Sequence, residues 1–532
     1  VTTTAPGPAR SAPAWAPLVL AFGAGAAAAL AFPPFGFLPG VAGFGLLLRL
    51  LDDARSDRRA LLLGWLAGLS YFLISTWWVG EAFLVDIAAH GWQAPFAVLF
   101  LGGGLALLWA APALLYRRLA PPGGARLMVF AACFAAAEWL RGHMLTGFPW
   151  DLPGEVWAAG SAPSQGASVL GAYGMTFLTL VIGAAPGLLR RRFGRGDGAA
   201  VGLALAVLAA LYLGGGARLS RAPPRALEET GLAVRIVQAN VPQTEKWTPE
   251  AFQSIVLNYD ELTALPAPRR PDVVIWPEGA LPVAAEDLLA PGSWTRDAVL
   301  GALAPGEVLL FGSTRGGEEG GRARYYNSLM ALRRTPDGAQ RLGVYDKHHL
   351  VPFGEYMPFD ALAGRMGLKA LVHVGDGFTS GPASEPRETQ GLGRFQPLIC
   401  YESLFPASFA RTGPRPSWIV NVSNDAWFGD TSGPWQHLNL ASYRALEEGL
   451  PMVRATPTGV SAVIDGYGRP LAELPLGRRG VLDVRLPPAL PPTLYERWRD
   501  APFLLLCLAG VLAAAIRPLR PRPTGALAAA RP

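Results

Sequence analysis

Val273-Val274-Ile275-Trp276-Pro277-Glu278 decides how the middle of this chain folds. Four apolar residues, β-branched or aromatic and closed by a proline, read as a short strand covered on both faces. A carboxylate follows at once, where the strand end meets its loop. Similar runs recur at 232–238, 308–311, 327–332, 343–345, 395–399, 418–422, 460–464 and 480–484. Gly/Pro-rich turns and helical stretches such as 249–262 and 435–448 lie between them. About nine strands with interspersed helices predict one large α/β or α+β domain over residues 216–498. The glycine cluster at 315–321 reads as a loop, and no phosphate-binding glycine motif follows a strand.

On either side of this domain the composition changes. Of 532 residues, 51% are hydrophobic and 16% charged, against about 25% charged in an average soluble domain. This excludes disorder and argues against a wholly soluble protein. Apolar segments fall at 15–32, 38–51, 60–79, 95–116, 127–140, 168–189, 199–213 and 501–516, predicting a bundle of about eight transmembrane helices. They divide the chain into a helical part at 1–215, the α/β domain at 216–498 and a last helix with its tail at 499–532. A single Arg10 ahead of the first segment, and the apolar segments that follow, argue against a cleaved signal peptide.

Arginine placement predicts the orientation. Arg55, Arg58 and Arg59 follow the second segment, Arg117, Arg118 and Arg126 the fourth, Arg190, Arg191, Arg192 and Arg195 the sixth, and Arg517, Arg520 and Arg522 the last. The links at 33–39 and 80–94 carry no Lys or Arg. With positive residues kept in the cytoplasm, both termini lie inside and residues 216–498 lie on the outer face. The +6 net charge thus reflects topology, and a nucleic-acid partner is not expected. Three cysteines cannot form a disulfide framework; Cys133 and Cys507 sit in apolar runs as small hydrophobes. The six histidines show no zinc-ligand spacing, so neither a metal nor another cofactor is expected. Between the fifth and sixth segments, Glu138 and Arg141 are spaced as a local helical ion pair.

Three strand ends carry reactive groups. Glu278 follows the run quoted first, Lys347 follows Gly343-Val344-Tyr345-Asp346, and Cys400 follows Gln396-Pro397-Leu398-Ile399. A thiol must lose its proton to attack, a carboxylate in a low-dielectric pocket can take it, and an ammonium can stabilise the oxyanion that forms. Read singly, each residue also has a structural explanation: a buried core thiol, a solvated turn carboxylate, a surface strand end. Only three of the 46 Lys and Arg residues are lysines, which marks Lys347 as a place that needs a compact ammonium.

Taken in order, Trp276-Pro277-Glu278, the run Tyr345-Asp346-Lys347-His348-His349-Leu350-Val351-Pro352-Phe353-Gly354-Glu355, and Ile399-Cys400-Tyr401-Glu402 resemble the Glu–Lys–Cys motifs of the nitrilase, or carbon–nitrogen hydrolase, superfamily. With the apolar segments, the chain looks like its membrane branch, the apolipoprotein N-acyltransferases. The likeness extends to Glu138-Trp139-Leu140-Arg141-Gly142, Thr146-Gly147-Phe148-Pro149-Trp150, Gln238-Ala239-Asn240-Val241-Pro242-Gln243 with Lys246-Trp247, and Ser423-Asn424-Asp425-Ala426-Trp427-Phe428. Asp346 and His348 depart from the family's frequent Asn at both places; neither is a triad position.

The resemblance implies a four-layer α-β-β-α sandwich on the helical bundle. It implies Cys400 as nucleophile, Glu278 as general base, Lys347 as oxyanion stabiliser and Glu355 as a second carboxylate. Trp247, Tyr401 and Glu402 would shape the acyl and lipoprotein site. The implied reaction is ping-pong: Cys400 takes an acyl chain from a phospholipid such as phosphatidylethanolamine, and the α-amino group of a diacylglyceryl-cysteine apolipoprotein then accepts it. The protein would work as a monomer in the bacterial inner membrane, with its catalytic domain on the periplasmic side. Residues 359–374 are a candidate lid that keeps water from the thioester. Two other readings stand beside this: a membrane-tethered amidase or nitrilase that uses water, and a transporter with an accessory domain.

Overall fold

The computed structural model describes residues 13–189, 194–224, 231–319, 321–358, 377–407, 409 and 413–515. The candidate lid at 359–374, and the arginines at 190–192, 517, 520 and 522, lie outside the described residues.

Each predicted apolar segment falls on a helix: Ala16–Ala29, Gly43–Asp52, Asp57–Thr76, Ala94–Leu119, Arg126–His143, Ala167–Ala184, Arg195–Leu219 and Ala501–Ala514. Among the described residues, four stretches are long and apolar enough to cross a membrane, namely Asp57–Phe83, Ile87–Leu119, Pro163–Leu188 and Arg195–Leu219. Ala16–Ala29 and Ala501–Ala514 are shorter apolar helices. One buried cluster, including Phe44, Tyr71, Trp109, Phe130, Phe134 and Phe177, joins the helices. Phe100, Leu213 and Leu505 face outward with 67–77% of their surface exposed. Apolar residues on the outside as well as the inside are what a lipid-facing bundle requires.

Inside the bundle, Glu138 and Arg141 form the ion pair expected from their spacing. Its reach is wider than the spacing implied. Trp109 Nε1 donates to Glu138 Oε1 at 2.6 Å, and Arg141 donates to the carbonyls of Phe148 and Trp150. Helix Ala167–Ala184 kinks at Gly171, whose φ is +66°. The Tyr495 ring lies against it, and a Cβ there would come within 2.1 Å of the ring.

Twelve strands among the described residues form the α/β part. They are β1 (Ala233–Gln238), β2 (Val273–Trp276), β3 (Val308–Glu319), β4 (Arg322–Thr335), β5 (Gly338–Asp346), β6 (Arg387–Thr389), β7 (Gly393–Ile399), β8 (Trp418–Val422), β9 (Met452–Ala455), β10 (Ser461–Ile464), β11 (Pro470–Leu474) and β12 (Gly480–Arg485). Two six-stranded sheets result, ordered β12-β1-β2-β3-β4-β5 and β11-β10-β9-β8-β7-β6. The central neighbours β1, β2 and β3 run parallel, as do β7, β8 and β9.

Alternation along the strands explains why both faces are apolar. Val273 and Ile275 point into the core between the sheets with Ile236, Leu310, Val420, Val422 and Val453. Val274 and Trp276 point the other way, against helices Pro249–Thr263 and Trp294–Ala302. On the second sheet, Ile419 and Met452 pack against helix Gly433–Glu448. The layers are therefore helix, sheet, sheet, helix.

Two details differ from the sequence reading. Residues 315–319 of the glycine cluster are not a loop but the end of β3, paired with β4 through Arg315↔Tyr326, Gly316↔Tyr325 and Gly317↔Arg324. The ladder supplies the hydrogen bonds, and the Tyr326 ring lies 4.5 Å from the Arg315 guanidinium, covering a stretch that has few side chains of its own. Strands β6, β9 and β11 were not anticipated; they are short, and β6 and β11 lie at sheet edges.

Candidate active site

Glu278 is held by a close approach of two backbones. Gly312, on β3, lies against it so tightly that a Cβ would sit 2.5 Å from Glu278 Cα and 2.8 Å from the Pro277 carbonyl. Only glycine fits there. Lys347 leaves the end of β5 with its amide donating to the Asn327 carbonyl and its own carbonyl accepting from Gly381. Cys400 ends β7 and begins a short 3₁₀ turn, Cys400–Leu404, with φ at +49°. That left-handed conformation is costly for a side chain with a Cβ and marks a residue held in place by its surroundings.

The structure brings Glu278, Lys347 and Glu355 into one buried cluster. Lys347 Nζ donates to Glu278 Oε1 at 3.2 Å and to Glu355 Oε1 at 2.9 Å. Asn327 Nδ2 donates to the same two oxygens, each at 2.7 Å. An amide has two hydrogens and an ammonium three. Both Asn327 amide hydrogens are thereby used, while Lys347 keeps one N–H without an acceptor among the described residues. Glu355 Oε2 accepts from the Val351 amide at 2.8 Å, whereas Glu278 Oε2 has no hydrogen bond among the described residues.

Cys400 lies within the field of this cluster. Burial pushes its thiol well above the usual range and the Glu278 charge adds to this; Lys347 and the Asn424 amide act in the opposite sense. The thiol therefore holds its proton at neutral pH, and a base is needed to remove it. Burial draws the Lys347 ammonium down, yet Glu278 and Glu355 outweigh this and hold it above its ordinary value. It stays a cation.

Tyr401 and Glu402 take different places. Tyr401 reaches toward the helical part, donating to the Gly147 carbonyl at 2.6 Å. Glu402, 1% exposed, ties two loops together. Its Oε1 accepts from Tyr345 Oη at 2.6 Å and from the amides of His348 and His349 at 2.8 and 3.2 Å, and its Oε2 accepts from the Ile399 amide at 2.7 Å. The loop bearing Lys347 is thus fastened to the loop bearing Cys400. Trp247 is 54% exposed at the end of helix Gln243–Lys246.

Several residues escaped the sequence reading. Asn327 gave no signal beyond opening an apolar run. Lys246 is 5% exposed, and a Cβ on Gly279 would lie 3.1 Å from its Nζ. Burial brings its ammonium down to about 8, against the pull of Glu278. Its rarity as one of three lysines was the available clue. Ser403, Asp425, His437 and Arg454 form a further buried group behind Cys400. Among the described residues no group of three or more His, Cys, Asp or Glu side chains is placed to hold a metal ion.

Comparison with known proteins places this geometry in context. Residues 24–185 match the apolipoprotein N-acyltransferase N-terminal domain, and residues 233–490 match carbon-nitrogen hydrolase. An apolipoprotein N-acyltransferase of Caulobacter vibrioides is 53% identical over 94% of this chain and 95% of its own. Those of Brucella melitensis and Rhodopseudomonas palustris are 42% and 39% identical, over 89% and 96% of this chain and 90% and 96% of theirs. A solved glutamine-dependent NAD(+) synthetase from Cytophaga hutchinsonii aligns with 48% of this chain and 43% of its own at 12% identity and a TM-score of 0.29, too low to bear on the fold. With both domains matched and relatives this similar along nearly its whole length, the chain belongs to the apolipoprotein N-acyltransferase family.

Proposed function

We propose that this protein moves an acyl chain from a phospholipid to the α-amino group of an apolipoprotein's N-terminal S-diacylglyceryl-cysteine, through a thioester on Cys400. The observation that carries the reading is the meeting of Glu278, Lys347 and Glu355 in one buried cluster whose field acts on the Cys400 thiol. Glu278, through its free Oε2, takes the thiol proton. Sulfur adds to the donor's ester carbonyl, and the remaining N–H of Lys347 receives the oxyanion. As the ester C–O bond breaks, Glu278 returns the proton to the leaving alkoxide, giving a lysophospholipid. In the second half the acceptor amine attacks the thioester, Glu278 takes its proton, the C–S bond breaks and the thiol is restored beside the new amide. Glu355 fixes Lys347, Trp247 and Tyr401 border the site, and Glu402 holds the two loops in register.

Phosphatidylethanolamine is the proposed donor and the monomer the proposed working form. The proposed arrangement is a helical part at 1–215, a periplasmic catalytic domain at 216–498 and a last helix with its tail at 499–532, in the bacterial inner membrane. Arginine placement and the anchoring of both substrates in the membrane support it.

The test is to incubate the full chain in vesicles with acyl-labelled phosphatidylethanolamine and no acceptor. A hydroxylamine-labile label on Cys400, absent from Cys400→Ala and passed to a diacylglyceryl-cysteine peptide as an amide, is the expected result. Absence of the label overturns the mechanism. Label released only as free fatty acid points to a hydrolase, and solute uptake undiminished in Cys400→Ala points to transport.

A further inference from the structure

Behind Cys400 lies a buried chain of polar groups that the proposed mechanism does not use. Ser403 Oγ donates to the Cys400 carbonyl at 2.8 Å and lies 3.0 Å from His437 Nε2, which is itself 3.3 Å from the same carbonyl. His437 Nδ1 meets Asp425 Oδ1 at 2.9 Å, and Arg454 Nη2 donates to Asp425 Oδ2 at 2.7 Å. Arg454 also donates to Ser423 Oγ at 3.1 Å. All four of Ser403, Asp425, His437 and Arg454 are 1% exposed or less.

The protonation of the chain follows from its charges. Burial alone would raise the Asp425 carboxyl, but Arg454 and His437 overcome it and hold it below its ordinary value. Burial and Arg454 hold His437 below its ordinary value, against the opposing pull of Asp425. A neutral imidazole facing an ionised carboxylate carries its proton on Nδ1 and leaves Nε2 as an acceptor. The Ser403 hydroxyl, with one proton, then serves both Nε2 and the Cys400 carbonyl. With all four side chains at most 1% exposed, the arrangement presents no accessible hydroxyl and does not act as a second nucleophile.

Its two ends restrain Cys400 from opposite sides. One end, through Ser403, grips the carbonyl of a residue whose φ is +49°. At the other, Asp425 and Arg454 fix the Ser423-Asn424-Asp425 loop, whose Asn424 amide draws the thiol pKa down against the effect of burial. His437, from helix Gly433–Glu448, joins the two. We propose that Ser403, His437 and Asp425 form a positioning relay that clips the Cys400 turn to the Ser423-Asn424-Asp425 loop and so aims the thiol at the acyl carbonyl. Reacting atoms must be held within a few tenths of an ångström, and a displacement of about 1 Å can cost on the order of a hundredfold in rate.

The inference rests on Cys400 being the acyl carrier, so the wild-type chain is the control. Single-turnover thioester formation is followed in vesicles containing acyl-labelled phosphatidylethanolamine, for wild type, Ser403→Ala, Ser403→Thr and His437→Gln. Ser403→Ala and His437→Gln are expected to lower the first-order acylation constant at least tenfold with the concentration dependence on donor unchanged, and Ser403→Thr to recover most of the loss. A purely structural role would instead lower the labelled fraction at an unchanged rate constant, and that result overturns the relay. So does a wild-type constant in Ser403→Ala, a change small enough to decide the matter if His437→Gln does not fold. Should wild type itself form no thioester, it is the reading of Cys400, not the relay alone, that fails.

Discussion

Replacing Lys347 by Met removes one cation from between two buried carboxylates. Lys347 is 1% exposed and reaches Glu355 at 2.9 Å and Glu278 at 3.2 Å; without it, Asn327 alone bridges them. Breaking a buried pair while its partner charge stays inside costs about 3–5 kcal/mol. At about 2–4 °C per kcal/mol for a domain of this size, the apparent unfolding midpoint in detergent should fall by about 6–20 °C. Loss of the oxyanion donor should separately slow thioester formation by about 10²–10³-fold. A second variant, Lys347→Met with Glu355→Gln, parts the two effects. It deletes one of the two stranded charges, so it should regain part of the midpoint and none of the rate. Thermal unfolding and single-turnover labelling of Cys400, run on the same preparations, provide the readings. A wild-type midpoint for Lys347→Met would refute the counter-ion role. Recovery of rate in the double variant would refute the oxyanion role.

Three more predictions concern the supports of the site. Gly312→Ala puts a methyl 2.5 Å from Glu278 Cα, so it should abolish thioester formation in a chain that still binds vesicles; near-normal labelling would show that β3 can yield. Glu402→Ala leaves one hydroxyl and three amides without their acceptor. At about 1–3 kcal/mol for each buried group left unpaired, it should unfold at markedly lower denaturant than wild type. His349 stacks on Phe405 at 4.4 Å, and burial, with some contribution from His348, brings its imidazole down to about 4 from an ordinary 6.5. The unfolded chain then binds a proton that the folded chain refuses, so stability should decline as pH falls from about 6.5 toward 4. His349→Gln should flatten that decline, as followed by unfolding midpoints across the window; an unchanged slope assigns it to other groups.

How much of this could be read from the amino acids depended on whether a residue's role is local. Glu278, Lys347 and Cys400 each follow a short apolar run, and a strand end is visible in sequence. So were the two-faced strands, because Val273 to Trp276 has no polar alternation to give one face to water. Residues 315–319 misled because glycine's weak strand preference is a local property, whereas the long β3–β4 ladder that captures them is not. Asn327, His437 and Arg454 stayed hidden for a related reason. Their partners lie 28 to 49 residues away for Asn327, 12 to 37 for His437 and 29 to 33 for Arg454, and no spacing rule links them. Charge rarity pointed to Lys347, and the same argument applied to Lys246 would have found the second buried ammonium near Glu278.

The position of Tyr401 next to Cys400 explains why a hydrolase-like sandwich is bound so firmly to a bundle of apolar helices. Its hydroxyl reaches the Gly147 carbonyl, and Tyr356 Oη reaches Thr146 Oγ1 at 3.0 Å. Trp78, in the stretch Asp57–Phe83, and Trp150, in the link after helix Arg126–His143, both donate to Gln436 Oε1 at 3.0 Å, one residue before His437. The 146–150 link is in turn held by Arg141, whose ion pair with Glu138 lies inside the bundle. Polar contacts, most of them buried, therefore connect the helices to both flanks of the Cys400 turn. A site acting on small soluble molecules gains nothing from such a series, since its substrates arrive from any direction. A site whose two substrates are both confined to one leaflet must keep its nucleophile at a constant height above the helices. A shift of the whole domain would separate sulfur from ester carbonyl as surely as a local displacement. On the proposed reaction, the ion pair first read as a local helix contact would help to hold that height through the 146–150 link.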